Sequence, residues 1–162
     1  MIYLCLSNFF YIDKWSTILN DLTPEVEELF WQKIAKTRSF PLPVYSLLRK
    51  ISIRANESQK KMIFQCLFQQ VFSSDITDET EDEVIQTVVL FIPRDEEFKL
   101  SVKDQCIDLI KSNLHVSFAL NVLKKLVFYF GAQDSRDLFH TFLKISPDIS
   151  FYTQQYLDFL VS

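Results

Sequence analysis

The sequence predicts an all-α fold, a single domain of stacked helical hairpins over residues 1–162, and three observations predict it. Gly131 is the only glycine in 162 residues. Glycine supplies the positive φ of tight hairpin turns and phosphate loops, so its near absence removes most β-hairpins and nucleotide cradles at once. Apolar residues recur at spacings of three and four, with no convincing strand-like alternation. These apolar segments come in pairs separated by short polar turns, and the pairs look like degenerate copies of one another.

Met1 to Ile12 carries no charge. Twelve residues are too few to span a bilayer, no basic segment precedes them, and Ser7 and Asn8 interrupt the run, so a buried first helix is expected rather than a signal peptide or membrane span. Thr23-Pro24-Glu25 offers an N-cap hydroxyl, a proline for the first helical position and a carboxylate for the positive end of the helix dipole. With Lys33, Lys36 and Arg38 at the other end, a helix is expected over about 24–37. Phe40-Pro41-Leu42-Pro43 is expected to be extended, because proline restricts both itself and the residue before it. Val44, Leu47, Leu48 and Ile51 then restart a helical stripe.

Asn56 with Gln59 reads as a capping box ahead of Met62, Ile63, Cys66, Leu67 and Val71. Ser73 to Glu83 holds six acids and no base, which reads as a solvated linker entering the next helix. The apolar residues of that helix run from Val84 to Ile92, until Pro93 stops it. Asp95-Glu96-Glu97 supplies charge at the start of a helix over about 96–112. Further helices are expected at 115–130, with Gly131 as a left-handed stop, at 135–145, and from Ser146-Pro147 to the end.

Two tracks of residues step together through these hairpins. Leu47, Val88 and Val122 in the first helices are 41 and 34 residues apart, and Cys66, Cys106 and Phe139 in the second helices are 40 and 33 apart. Two-helix periods of this length mark HEAT-like or armadillo-like α-solenoids, in which each hairpin is covered by the next. A non-repeating helical bundle is the alternative architecture.

Composition narrows the function classes. Residues are 48% hydrophobic and 15% aromatic, with sixteen phenylalanines, enough for a sizeable core and unlike a disordered chain. Seventeen basic against 21 acidic side chains give a net charge of −4, so no direct nucleic-acid partner is expected. The basic clusters Arg49/Lys50/Arg54, Lys60/Lys61 and Lys124/Lys125 are expected to be solvated helix faces. Cys5, Cys66 and Cys106 are odd in number and scattered, which fits an intracellular reducing compartment and free, buried thiols.

Constellations for catalysis and metal binding are weak. His115 and His140 are isolated, no His-Glu-x-x-His or Cys-x-x-Cys occurs, and no serine sits in a glycine elbow. A pairing of Cys106 with His115 or His140 in space is the one nucleophile reading, and any chain with three cysteines and two histidines offers such pairs. No catalytic residue, metal site or small-molecule cofactor is therefore expected, and no membrane partner. Rigid helical stacks present surfaces, and surfaces of that kind bind proteins.

One aromatic breaks the amphipathic pattern. In the final helix Ile149, Tyr152, Tyr156, Phe159 and Leu160 form the core stripe, whereas Phe151 has Asp148, Gln155 and Asp158 as helical neighbours. Two readings stand side by side: an exposed or tucked-in ring that needs no partner, or an anchor for a bound protein. On the second, Phe151, Asp148 and Gln155 are the candidate partner-binding residues.

Three segments carry a resemblance. Lys33-Ile-Ala-Lys-Thr-Arg-Ser-Phe-Pro-Leu-Pro-Val-Tyr-Ser-Leu-Leu48, Leu90-Phe-Ile-Pro-Arg-Asp-Glu-Glu-Phe-Lys-Leu100 and Ser146-Pro-Asp-Ile-Ser-Phe-Tyr-Thr-Gln-Gln-Tyr-Leu157 resemble, in this order, the C-terminal helical-repeat domain of the Fanconi anaemia complementation group E family. The resemblance implies a non-enzymatic subunit of the nuclear Fanconi core complex, a ubiquitin ligase of DNA interstrand crosslink repair. In that family the domain bridges the ligase, through the group F subunit, to the substrate subunit that is monoubiquitinated. An exposed phenylalanine in the family's last repeat contacts the substrate subunit, and Phe151 matches its position. The chain departs from the family in two ways: it is shorter by about one hairpin around the third repeat, and it lacks the long, weakly ordered N-terminal half. The function expected is that of a protein-binding adaptor; the alternative is a small all-α bundle with an enzymatic or nucleic-acid-binding role.

Overall fold

The computed structural model describes residue 21, residues 23–72 and residues 77–145, and among them every regular element is helical. Seven α-helices follow one another: α1 Pro24–Ala35, α2 Leu42–Ile51, α3 Glu57–Gln70, α4 Asp78–Val88, α5 Glu96–Lys111, α6 Val116–Leu126 and α7 Ala132–Ile145. Short 3-10 turns continue α2 (Ser52–Arg54), α4 (Val89–Phe91) and α6 (Val127–Tyr129). The chain divides into two compact units, Met1–Pro93 and Arg94–Ser162.

Local chemistry explains most of the helix starts. At α3 the capping box is complete: the Gln59 backbone N–H donates to Asn56 Oδ1 at 2.9 Å and the Asn56 N–H to Gln59 Oε1 at 3.0 Å. Asp95 caps α5, its carboxylate accepting the Phe98 N–H at 2.6 Å, so the Asp95-Glu96-Glu97 run does open a helix. Thr77 caps α4 through the Thr80 N–H at 3.2 Å.

Other starts differ from expectation. Thr23 holds the N-cap position of α1, but its side chain makes no cap hydrogen bond; its carbonyl accepts the Glu27 N–H at 2.9 Å. The Glu25 carboxyl lies below the usual carboxylate range, chiefly through its own backbone N–H and secondarily through the Thr23 hydroxyl. Helix α2 begins at Leu42, with Pro41 as N-cap and Pro43 inside the first turn. Residues 42 and 43 are thus helical rather than extended, because a first-turn residue has no intrahelical use for the N–H that proline lacks.

The acidic stretch is also more helical than expected: Asp78 to Glu83 form the first turns of α4, where the dipole favours negative charge; residues 73–76 lie outside the described set. Gly131 is not a left-handed stop, since no glycine has positive φ. Among the described residues the left-handed ones are Asn113 (φ 54°) and His115 (φ 45°), in the tight turn between α5 and α6. Asparagine and histidine are among the non-glycine types that tolerate this region best.

In the unit Met1–Pro93, α1 packs on α3, α2 on α4, and α3 on α4, while the turn Val89–Phe91 closes against α3. Phe30, Trp31 and Ile34 form the buried stripe of α1, and Tyr45, Leu48 and Ile51 that of α2. Trp31 meets Phe30 and Phe91 edge-on, at centroid distances of 5.4 and 6.2 Å. Polar clasps tie these helices together. Arg49 donates to Glu83 at 2.6 Å and to the buried Thr87 hydroxyl at 3.1 Å. Gln59 reaches Glu28 on α1 at 2.7 Å, and Arg54 pairs with Glu27 at 3.4 Å. Two members of the Arg49/Lys50/Arg54 cluster are therefore half-buried interhelical clasps rather than a solvated face.

In the unit Arg94–Ser162, α5 packs on α6. Lys99 is buried; its ammonium sits 2.6 Å from Glu96 and 5.0 Å from the centre of the Tyr129 ring. These partners offset the cost of removing a cation from water. Leu47, Leu67, Val88, Ile107 and Leu123, all on the apolar stripes of their helices, are buried. Leu143 and the repeat anchor Phe139 lie in α7, but their side chains fall outside the described residues.

Candidate functional site

The residues expected to bind a partner, Phe151, Asp148 and Gln155, lie outside the described residues, as does Cys5. The other sequence candidates can be placed. Cys106 is 0% exposed, on the inner face of α5, and burial pushes its thiol well above the ordinary range. A thiol held in that form is a poor nucleophile, because the thiolate is the reactive species. His140 is exposed and His115 partly so. Among the described residues no group of His, Cys, Asp and Glu could hold a metal ion, and no helix is long and apolar enough to cross a membrane.

In the unit Met1–Pro93 a cleft of about 430 Å³ gathers polar groups; it is lined by Ala35, Lys36, Thr37, Arg38, Cys66, Gln69, Gln70 and Phe72. It lies where the C-terminal ends of α1 and α3 meet, and each wall follows from local sequence. The first turn of chain past α1 is tightened by the Thr37 N–H bonding to Ile34 O at 3.0 Å and the Thr37 hydroxyl to Lys33 O at 2.9 Å. This turn carries Lys36 and Arg38, both exposed.

The other wall comes from the last two turns of α3. Cys66 donates its thiol proton to Thr37 O at 3.3 Å and to Ile34 O at 3.7 Å, which joins the two helices. Burial pushes this thiol up to about 11, against a smaller downward pull from the Gln70 amide. Gln70 is only 5% exposed. Its Oε1 accepts the Tyr45 hydroxyl at 2.8 Å, while its Nε2 has only long contacts, 3.5 Å to Thr37 O and 3.7 Å to Cys66 Sγ. Phe72 is half exposed, and its ring continues a ladder with Phe68 and Phe64 at 5.7 Å steps.

Neither Lys36 nor Arg38 has an ion-pair partner among the described residues, and the lining contains no carboxylate. The cleft can thus offer two cations, a backed aromatic face and an amide donor, but no group suited to general-base or nucleophilic work. Sequence reasoning assigned Lys36 and Arg38 only to the dipole of α1 and passed over Gln70 and Phe72. The available signal was Gln70, an uncharged polar residue on the apolar stripe that runs through Ile63, Leu67 and Val71.

Exposed apolar side chains supply the other surface features: Ile53, Leu29 and Phe72 in the first unit, and Phe128 and Tyr129 in the second. No protein-family model, curated protein or solved structure matches the chain.

Proposed function

We propose that the chain is a non-enzymatic protein-binding adaptor built as an α-solenoid of helical hairpins. The observation that carries this reading is the alternating contact pattern of the unit Met1–Pro93, with α1 on α3 and α2 on α4. Contact between helices two apart is how hairpin repeats cover one another's apolar faces, and solenoids of this kind work as extended binding surfaces. The interior placement of Cys66 and Cys106 supports the same reading, because the thiols serve the packing.

The resemblance over residues 33–48, 90–100 and 146–157 extends the proposal. On it, the chain is a nuclear subunit of the Fanconi core ubiquitin ligase that contacts the group F subunit and presents the monoubiquitinated substrate subunit to the ligase. Phe151, flanked by Asp148 and Gln155, is the proposed anchor on the substrate side.

The test is affinity purification of the tagged chain with identification of what co-purifies, repeated with Phe151→Ala. The variant is expected to hold its stability within about 0.5 kcal/mol, as exposed surface substitutions do. Its binding is expected to weaken by about 2 kcal/mol or more, as for a hot-spot aromatic. A large drop in melting temperature would place the ring in the core, and unchanged binding would remove Phe151 from the interface.

A further inference from the structure

We propose that the cleft between the C-terminal ends of α1 and α3 is a docking slot for an acidic peptide segment of a protein partner. This inference rests on the adaptor reading only in taking the ligand to be part of a protein. The cleft's volume of about 430 Å³ lies within the usual range for ligand sites. Its charge runs against the net charge of the chain. The chain carries a net charge of −4, yet this lining holds Lys36 and Arg38 without a carboxylate and without an ion-pair partner among the described residues.

The backbone decides between classes of anion. Two helix C-termini converge here, each equivalent to roughly half a negative elementary charge. That field opposes a phosphate dianion, which helix N-termini and their N–H groups hold better. A single carboxylate is accommodated by the two cations, and Arg38 can grip it in fork geometry. The Lys33, Ile34 and Thr37 carbonyls already have donors within the chain; an extended peptide, unlike a free inorganic anion, brings its own backbone N–H and C=O groups to the polar rim. Gln69 adds an exposed amide that can meet a peptide group from either side. Phe72, tilted at 47° against Phe68, then gives the aliphatic part of the peptide a surface already held in place. The segment that fits has a glutamate or aspartate next to an apolar residue.

The probe is a capped tetrapeptide of alternating glutamate and leucine, titrated into the isotope-labelled full chain and followed by backbone amide resonances. Saturable shifts are expected at Thr37, Gln69, Gln70 and Phe72. The glutamine-for-glutamate peptide, and separately the Lys36→Glu/Arg38→Glu chain, should each bind at least about tenfold more weakly, with binding also falling as salt rises. Both substituted side chains are exposed, but two acids at the C-terminal end of α1 oppose its dipole, so the milder Lys36→Gln/Arg38→Gln chain, whose melting curve should match the parent within about 1 to 5 °C, serves as the reference if the charge-reversed chain melts lower.

Equal binding of the neutral peptide, shifts confined to other surfaces, or no shifts at millimolar peptide would each overturn the proposal. So would inorganic phosphate that reproduces the shifts at lower concentration, because the slot would then be a phosphate site. The adaptor reading fails separately. If no protein co-purifies with the parent chain while the acidic peptide still binds the slot, the adaptor reading is overturned and the slot stands.

Discussion

Cys66 and Tyr45 show what burial does to single residues in this core. Desolvation pushes the Cys66 thiol up to about 11 and the Tyr45 hydroxyl up to about 12, and Cys106 moves in the same direction. The unfolded chain releases its thiol protons near pH ~8.5, whereas the folded chain keeps them. Stability from these groups is therefore complete below that pH and declines as pH rises towards the folded values. Each thiol contributes a slope of about 1.36 kcal/mol per pH unit across its window. Urea midpoints measured under reducing conditions should fall between pH ~9 and ~10. A Cys66→Ser chain should fall less steeply, since one titrating group is gone. A stability that stays flat across that interval would mean that both thiols reach solvent. That Cys66 and Cys106 are buried could be read from their apolar neighbours in the sequence. The pairing of Cys66 with Thr37 O could not, because it depends on where α1 ends relative to α3.

Helix ends separate local from non-local information. Asn56/Gln59 and Asp95 cap as the sequence indicates, because donor and acceptor lie within three residues of each other. Asn56→Ala and Asp95→Ala should each cost about 1 kcal/mol, whereas Thr23→Ala should cost less than the ~0.5 kcal/mol at the low end for a lost cap. The turn between α5 and α6 runs the other way. Asn113 and His115 are left-handed, which costs an L-residue about 1 to 2 kcal/mol, while glycine costs about 0.5 to 1 kcal/mol in chain entropy. Asn113→Gly or His115→Gly should then gain a few tenths to about 1 kcal/mol. Gly131, which lacks positive φ, should accept alanine with a gain of about 0.4 to 1 kcal/mol. Thermal melts of the three variants check the set, and a destabilised Gly131→Ala chain would restore the left-handed assignment. The sequence pointed to Gly131 as the left-handed residue because glycine is the usual occupant of that region. The tight α5–α6 connection imposes the conformation on other residue types instead.

At the scale of the whole molecule, periodicity told most about the core. Leu47, Leu67 and Leu123 lie on stripes that the spacing marks as buried, and each is at most 2% exposed. Truncation of any of them to alanine should cost about 2 to 5 kcal/mol in chemical denaturation; a cost near zero at most of these sites would mean that the surrounding helices collapse to fill the gap. The cleft was not legible in the same way. Lys36 and Arg38 belong to one helix end and Gln70 and Phe72 to another, 30 or so residues on, and no local rule brings them together.

The clasp from Arg49 to Glu83 and Thr87 spans 34 and 38 residues, and it sets a timetable for a chain made from its N-terminus. At about 5 to 20 residues per second, the ribosome adds Thr87 only a few seconds after Arg49. During that interval α2 already exists but the helix that covers it does not. A ribosome that stalls over the acidic stretch would delay the covering of α2 for as long as the stall lasts.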